Sequence, residues 1–333
     1  MQNTEHHKKK LVFAVLNWGI GHASRSVPLI NKYKAEGWEI TLVSDGLALE
    51  FLRKEFPKER CVDIKSISLR YSKRSSLLAH LWYILPAFIR NIRADKAFVN
   101  QFVETEKIDL IISDNRYGFR SSKVKSIIVS HQLQLAFPDA LKWGRPIVQT
   151  QINKWLNRFD ECWIVDDSKH RLAGNLSYER ALKIPYRFLG LLSRLEPKKT
   201  QKDIDFLVVL SGLEPQRSIL EKILIRAFND YSGNVFMVGG RLGEDNTLLN
   251  KIQYLSFADS DKLNSLMNRA NCVISRSGFS SIMDLLKLNK KAILIPTPKQ
   301  TEQEYLAQIH SKNPLFTIAQ NDVKSIKEKI NNC

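Results

Sequence analysis

The clearest structural pattern in the chain lies at Cys272–Gln308, CVISRSGFSSIMDLLKLNKKAILIPTPKQTEQEYLAQ. It opens with a short apolar run, of a length suited to a buried strand, and a Ser-Arg-Ser-Gly turn follows. Apolar residues then recur at helical spacing, among them Phe279, Ile282 and Leu285. A second apolar run, Ala292–Ile295, precedes a helix rich in Glu and Gln. This order of strand, turn, helix, strand and helix predicts a βαβ unit of a parallel sheet.

The turn of this unit carries Ser277 and Gly278 at the start of the predicted helix. Backbone N–H groups at a helix N-terminus form a natural seat for a phosphate or diphosphate. Many turns between a strand and a helix carry Ser and Gly for packing reasons alone. From the turn by itself, both interpretations stay open.

The composition describes a globular chain long enough for two domains. Its 333 residues are 44% hydrophobic and 26% charged, unlike disordered or fibrous proteins. No apolar run reaches roughly 18 residues, and the apolar segment after MQNTEHHKKK is short, so neither a membrane span nor a signal peptide is predicted. The 4 cysteines have no paired spacing, which favours a reducing cytoplasm and argues against a structural metal site.

The net charge is +17, with the larger basic excess in residues 1–197. Such a surface attracts nucleic acid, anionic lipid or phosphorylated ligands. The chain has no recognisable nucleic-acid module, and its arginines do not alternate with aromatic residues as in a stacking platform. We therefore expect phosphate-bearing ligands and lipid headgroups as partners, and no nucleic acid.

A glycine-rich turn also follows the first predicted strand, Leu11–Leu16, in the sequence Asn-Trp-Gly-Ile-Gly-His. Gly19 and Gly21 suit a tight turn in which the backbone approaches a ligand. His22 falls at the start of the next helix, near the sheet edge where open α/β sheets bind ligands. A capping or packing histidine is the alternative interpretation.

Strand and helix patterns alternate through the first 190 residues and start again at Phe206, after a linker-like segment at Ser193–Asp203. This predicts an α/β protein with two Rossmann-like, doubly wound parallel-sheet domains, residues 1–195 and 203–333, facing a central cleft. The predicted strands are Leu11–Leu16, Glu39–Ser44, Cys61–Leu69, Ile108–Ser113, Ser126–Ser130, Glu161–Val165 and Phe188–Leu192 in the first domain, and Phe206–Leu210, Val235–Val238, Tyr254–Phe257, Cys272–Ser275 and Ala292–Ile295 in the second.

An apolar and aromatic run, Leu77–Ile89, stands between basic residues within the segment 65–96. It is too short to span a bilayer, but its basic flanks suit docking on an anionic membrane surface. Pro86 would kink or break a helix here. A buried core or interdomain helix is the alternative, and both interpretations stay open.

Taken in order, these motifs resemble the GT-B glycosyltransferases, and among them the MurG-like group of family 28. The resemblance implies that the second domain binds the nucleotide sugar and that Asp284 accepts hydrogen bonds from ribose, although the family has Glu there. In the first domain it places His22 near the reaction centre, with Asp114 where the family has a second glycine loop. The implied donor-binding residues are Ser211, Gly212, Phe257, Arg276, Ser277, Gly278, Asp284, Gln303 and Glu304, and the acceptor-side residues are Gly19, Gly21, Asn115 and His131.

The resemblance implies an inverting, metal-independent hexosyltransferase without a cofactor. It would move a sugar, such as N-acetylglucosamine, from a UDP-sugar-type donor to a lipid-linked or cell-envelope glycan acceptor at the inner face of the cell membrane. Such a transfer needs a base for the acceptor hydroxyl and stabilisation of the leaving diphosphate. His22, aided by Asp114, is the candidate base. A nucleotide-sugar hydrolase on the same fold is the alternative, followed by a non-catalytic nucleotide-sugar sensor.

Overall fold

The first sheet of the protein holds seven parallel strands. A computed structural model describes residues 8–65, 77–137, 143–241, 246–249 and 251–332. The strands lie in the order β3-β2-β1-β4-β5-β6-β7. They are β1 (Lys10–Val15), β2 (Glu39–Ser44), β3 (Arg60–Asp63), β4 (Leu110–Asp114), β5 (Lys125–Ser130), β6 (Glu161–Ile164) and β7 (Tyr186–Phe188), with helices α1 (Ile20–Ala35), α2 (Gly46–Glu55), α3 (Leu77–Glu106) and α4 (Arg145–Leu156).

The second sheet repeats this plan, with the strand order β10-β11-β9-β8-β12-β13-β14. Its neighbours are parallel except for the antiparallel pair β10 and β11. Its elements are β8 (Ile204–Val209), α5 (Gln216–Ala227), β9 (Val235–Val238), β10 (Asn246–Leu249), β11 (Ile252–Leu255), α6 (Ser260–Arg269), β12 (Ala270–Ser275), α7 (Phe279–Lys287), β13 (Lys291–Leu294), α8 (Thr301–His310), β14 (Phe316–Ile318) and α9 (Val323–Asn331).

The predicted class of two doubly wound α/β domains is confirmed by these sheets. The central strands of both sheets are buried on their two faces, which explains why they read as continuous apolar runs. In each sheet the chain reverses its direction of travel beside a central strand, between β1 and β4 in the first and between β8 and β12 in the second. Open α/β sheets bind ligands outside the carboxyl ends of strands at such points.

Several local predictions need correction. The seventh strand is Tyr186–Phe188 rather than Phe188–Leu192, because the apolar residues that follow pack half-buried against the core in a connecting segment. The strand predicted at Tyr254–Phe257 is Ile252–Leu255, and the short strands β10 and β14 were not predicted. Pro86 lies inside the continuous helix α3 and does not end it.

The strand predicted at Cys61–Leu69 ends at Asp63 as β3, and its last part lies outside the described residues. The predicted membrane-docking segment 65–96 lies in large part outside the described residues and side chains as well. None of the helices in the described part of the chain combines the length and the apolar character needed to cross a membrane.

The segment that joins the two sheets is attached to the second one. Asn264 on α6 accepts a hydrogen bond from the backbone N–H of Glu196, and Asn268 accepts one from that of Lys198. The side chain of Leu195 is fully buried. The division of the chain into domains at residues 195 and 203 remains a prediction.

Candidate active site

A cleft opens where the carboxyl ends of the two sheets face each other. It encloses a cavity of about 190 Å³ lined by loops and helix starts from both halves of the chain. Gly19, Gly21, Asn115 and His131 line it from the first half. The side chain of Ser280 on α7 reaches across and donates a hydrogen bond to the carbonyl of Gly21 at 2.8 Å.

The first wall of the cleft carries a cluster of buried charges around Asp114. Nδ1 of His22 lies 2.8 Å from Oδ1 of Asp114. Arg25 donates two hydrogen bonds to the same carboxylate. Its Nε lies 2.7 Å from Oδ2, and its Nη2 donates to Oδ1. Asp114 is fully buried, and the bidentate arrangement is the strong form of an arginine–carboxylate pair.

The protonation states in this cluster follow from the arrangement. Burial alone raises the pKa of Asp114, but the charges of Arg25 and then His22 outweigh it and hold the pKa below its ordinary range. Asp114 is therefore an anion without a proton to donate. We assign the proton of His22 to Nδ1, which lies 2.8 Å from this anion, although Nη2 of Arg25 lies 2.9 Å from the same nitrogen and, as a donor only, opposes this tautomer. This assignment leaves the lone pair of Nε2 of His22 available as a proton acceptor.

A chain of contacts continues from Arg25 to the second half of the protein. Nη1 of Arg25 lies 2.5 Å from Nδ1 of His131, and Nε2 of His131 lies 2.9 Å from Oε1 of Glu302 on α8. Burial and then the charge of Arg25 lower the pKa of His131 against the opposing effect of Glu302. A neutral His131 with its proton on Nε2 satisfies both contacts. Its ring also stacks on Phe279, with centroids 4.2 Å apart.

The second wall of the cleft presents the start of a helix. Helix α7 follows Gly278, which offers no side-chain cap, and its first turn contains no acidic residue. Helix α1 also begins without a side-chain cap, after Gly19 with φ 87°. The first N–H groups of a helix lack partners within the helix and carry a partial positive charge. Two helix starts of this kind beside one cavity suit an anionic diphosphate.

Some of the predicted donor-side residues lie in this wall. Ser211, Gly212, Gly278 and Gln303 line the cavity. Gln303 is held in place because its side-chain oxygen accepts from the N–H of Thr297, and its backbone carbonyl accepts from the hydroxyl of buried Ser277.

The structure does not bring Arg276 into the cleft. Its side chain is 1% exposed, and the guanidinium donates to backbone carbonyls that include those of Ile295 and Gln216. These bonds tie together the loops around the second sheet, so its charge is directed into the protein. Burial lowers the pKa of Arg276 to about 10.

Four further predicted donor residues also lie outside the lining of this cavity, and the first of them is the fully buried Ser277 described above. Asp284 accepts a hydrogen bond from Ser193 in the connecting segment, and burial raises its pKa to about 6. Phe257 packs edge-on against Phe51 of the first half, with ring centroids 6.4 Å apart. Glu304 is exposed and accepts from the N–H of Lys299.

Glu302 occupies the position in the cleft that was expected for Glu304. Residues two apart on a helix point roughly 200° apart, so the two side chains leave α8 on opposite sides. Arg25 was also missed, although a signal for it exists in the sequence. It stands three residues after His22, on the same face of α1. Within the described residues, no group of three His, Cys, Asp or Glu side chains is placed to hold a metal ion.

The sequence of the second half matches a known family. Residues 233–333 match the glycosyltransferase family 28 C-terminal domain. A UDP-N-acetylglucosamine–N-acetylmuramyl-(pentapeptide) pyrophosphoryl-undecaprenol N-acetylglucosamine transferase of Clostridium botulinum is 24% identical over 331 residues, covering 94% of this chain and 85% of that protein. A protein of the same name from Clostridium perfringens is 26% identical over 303 residues, covering 87% of this chain and 78% of that protein. The chain is a GT-B glycosyltransferase with a family 28 C-terminal domain.

Solved structures show the same fold over nearly the whole glycosyltransferase. The glycosyltransferase of kitacinnamycin superposes with a TM-score of 0.65 at 13% identity, covering 98% of this chain and 90% of that one. MurG of Acinetobacter baumannii superposes with a TM-score of 0.57 at 13% identity, over the same shares of the two chains. The family 28 match covers the part of the second wall formed by α7 and α8 but not Ser211 and Gly212, whereas the relative from Clostridium botulinum aligns with nearly the whole chain.

Proposed function

We propose that this glycosyltransferase moves a sugar from a UDP-sugar to a hydroxyl of a lipid-linked or cell-envelope glycan acceptor, with inversion and without a metal ion. The observation that carries the proposal is the His22–Asp114 pair beside the uncapped starts of α1 and α7. The names of the curated relatives, which specify a UDP-N-acetylglucosamine donor and a pyrophosphoryl-undecaprenol acceptor, support the choice of donor and acceptor.

In the proposed reaction the acceptor oxygen attacks the anomeric carbon while the bond from that carbon to the diphosphate breaks. Nε2 of His22 takes the proton of the hydroxyl, and Asp114 stabilises the imidazolium that forms. Arg25 keeps Asp114 ionised and in place. Attack from the face opposite the leaving group inverts the configuration of the sugar.

The diphosphate is proposed to lie between the two helix starts. N–H groups at Gly278–Ser281 and the loop at Ser211-Gly212 face the developing charge, so they provide the stabilisation that the leaving group needs. Gln303 lies beside them and is proposed to contact the donor. The proposed place of action is the inner face of the cell membrane, where a lipid-linked acceptor would be reached.

Replacing His22 by Ala tests this proposal. Loss of a general base lowers turnover by about 10²–10⁴-fold, so we expect a fall of that size in kcat with UDP binding retained. UDP release from UDP-N-acetylglucosamine and binding of UDP by thermal shift are the two measurements. The control is His170→Ala, because His170 contacts Ser177 outside the cleft and its loss should leave turnover unchanged.

Two outcomes would contradict the proposal. Undiminished turnover in His22→Ala would remove His22 from the mechanism. UDP release that is the same with and without lipid-linked acceptors would instead assign the fold to nucleotide-sugar hydrolysis.

A further inference from the structure

Glu302 is the one charged residue that the second half of the chain contributes to the described lining of the cleft. Its carboxylate lies 2.9 Å from Nε2 of His131, which follows β5 in the first half. Burial raises the pKa of Glu302, but the hydrogen bond with His131 and the nearby positive charges outweigh it and hold the pKa below its ordinary value. Glu302 is therefore an anion, and an ionised carboxylate can only accept hydrogen bonds.

Contact with this anion fixes which nitrogen of His131 carries the proton. Nε2 has to donate to Glu302, so in the neutral ring Nδ1 keeps its lone pair. That lone pair accepts from Nη1 of Arg25, which lies 2.5 Å away. The ring is 4% exposed and stacks on Phe279, whose helix also belongs to the second half. Two contacts from the second half therefore determine how His131 meets Arg25.

The guanidinium of Arg25 has two competing neighbours. Its Nε and Nη2 bind the carboxylate of Asp114, yet Nη2 also lies 2.9 Å from Nδ1 of His22. A guanidinium turned toward His22 would donate to Nδ1, and the proton of the neutral ring would then lie on Nε2. In that tautomer Nε2 has no lone pair with which to accept a proton. The bond from Nη1 to His131 opposes this turn, because it holds the guanidinium at a third point.

We propose that Glu302 is a positioning residue that selects the tautomer of His22. It acts through His131, which holds Arg25 on the carboxylate of Asp114. Nδ1 of His22 then donates to that carboxylate, and Nε2 keeps its lone pair. Because Glu302 belongs to the second half, this tautomer is favoured only while the two halves are in contact. The inference rests on the proposed role of His22 and adds the condition under which the base is competent.

Replacing Glu302 by Ala tests this inference. Without the anion, Nδ1 of His131 can carry the proton, and it then no longer accepts from Arg25. The neutral ring of His22 should shift from the Nδ1–H toward the Nε2–H tautomer. The measurement is the long-range proton–nitrogen correlation spectrum of the isotope-labelled imidazoles at mildly alkaline pH, which distinguishes protonated from unprotonated ring nitrogens. Comparison with the spectrum of His22→Ala identifies the signals of His22.

Two further variants separate this effect from a general loss of structure. Glu302→Gln keeps an oxygen that can accept from Nε2 of His131, so it should retain the Nδ1–H tautomer of His22 and most of the turnover. Glu179→Ala is the matched control, because Glu179 also lies beside a histidine, 3.4 Å from Nε2 of His170, but does not line the cleft. It should change neither the spectrum of His22 nor the turnover.

The kinetic readout is the turnover of a UDP-sugar. Loss of the Nδ1–H tautomer lowers the fraction of enzyme with a competent base, so kcat of Glu302→Ala should fall about tenfold while KM for the UDP-sugar is unchanged. If Glu302→Ala does not fold, His131→Phe takes its place. It keeps an aromatic ring beside Phe279 but removes both nitrogens, and it should cause the same change in His22 and in kcat.

A His22 that keeps the Nδ1–H tautomer in Glu302→Ala, or in His131→Phe where Glu302→Ala does not fold, would overturn the inference. A higher KM for the UDP-sugar with unchanged kcat would overturn it as well, because Glu302 would then be a contact of the donor. Either result would leave the proposed function standing. Conversely, a shifted tautomer in Glu302→Ala, in a protein that transfers no sugar from any nucleotide sugar, would support the inference and refute the proposed function.

Discussion

The two walls of the cleft offer a ligand different chemistry. The first wall carries charged side chains, with the carboxylate of Asp114 fixed by His22 and Arg25. The second wall carries backbone N–H groups at the start of α7 and the hydroxyl of Ser280, and the one charged residue that it adds to the described cavity lining, Glu302, contacts His131 of the first wall. A charged side chain can exchange protons, whereas a backbone N–H can only donate a hydrogen bond. The first wall is thus suited to proton transfer and the second to holding an anion.

Two helices outside the cavity differ from α7 in having a side-chain cap at their first turn. Helix α6 begins after Asp259 and α9 after Asp322, and each carboxylate accepts from a first-turn N–H at 2.8 Å. Such caps stabilise a helix by about 1 kcal/mol. Helix α7 has Gly278 at this position, which costs only a few tenths of a kcal/mol relative to Asp and leaves its first N–H groups without a side-chain partner, available to a ligand.

The largest expected effect comes from breaking the charged wall with Arg25→Met. Removing one partner of a buried ion pair costs about 3–5 kcal/mol, because the other charge stays buried without compensation. The low pKa of Asp114 contributes stability above the ordinary carboxyl pKa, and that contribution is lost as the pH falls through the folded-state value. In Arg25→Met burial is opposed by less charge and the folded-state pKa rises, so this loss of stability on acidification should shrink, and it becomes a gain once that pKa exceeds the ordinary carboxyl value. Urea unfolding from neutral to mildly acidic pH measures both effects.

The matched control is Arg116→Met, since Arg116 forms a buried pair with Asp95 outside the cleft. In that pair burial outweighs the effect of Arg116 and raises the pKa of Asp95. We expect Arg116→Met to destabilise the protein to a similar extent without altering the pH profile of sugar transfer in the molecules that remain folded. The same change of pH profile in both variants would contradict the special role of the Asp114 cluster.

A smaller effect is expected from giving the second wall a charge with Gly278→Asp. Gly278 has extended backbone angles, φ −73° and ψ 146°, and an added Cβ would meet no atom closer than 3.9 Å. The new carboxylate should cap α7 and raise the free energy of unfolding by a few tenths of a kcal/mol, because Gly is itself a tolerated cap residue. It should also repel a diphosphate and weaken UDP binding about tenfold, a change of roughly 1.4 kcal/mol.

Calorimetric titration with UDP and urea unfolding measure these opposite changes. Gly278→Asn is the control, because it supplies a cap without the charge and should weaken UDP binding less. If Gly278→Asp bound UDP as tightly as the wild type, the diphosphate would not lie at the start of α7.

The smallest effect is expected outside the cleft, from Asp259→Ala. Loss of this cap should lower the free energy of unfolding by about 1 kcal/mol, and UDP affinity and turnover should not change. Asp261→Ala is the control, since Asp261 lies in the first turn of the same helix without being its cap residue. Altered UDP affinity in Asp259→Ala would contradict this prediction, because it would show that the cap of α6 affects ligand binding in the cleft.

The sequence was sufficient to predict the repeated strand and helix order, because buried parallel strands are continuous apolar runs. It also placed His22 and Asp114 together, since β1 and β4 end at one edge of the sheet. The contact of His131 with Glu302 could not be predicted in this way. It joins residues 171 positions apart and depends on how α8 packs against the first half. The short strand β14 was missed because three residues carry too little periodicity.

The contacts across the cleft also concern the rate at which a ligand could enter it. The cavity of about 190 Å³ is smaller than the roughly 300 Å³ at which small-molecule sites begin. If the two halves separate to admit a nucleotide sugar, the bonds Ser280–Gly21 and His131–Glu302 break. Domain movements of this kind take microseconds to milliseconds. Where such an opening precedes each turnover, its rate sets an upper limit on how often the enzyme can act, however fast the chemical step is.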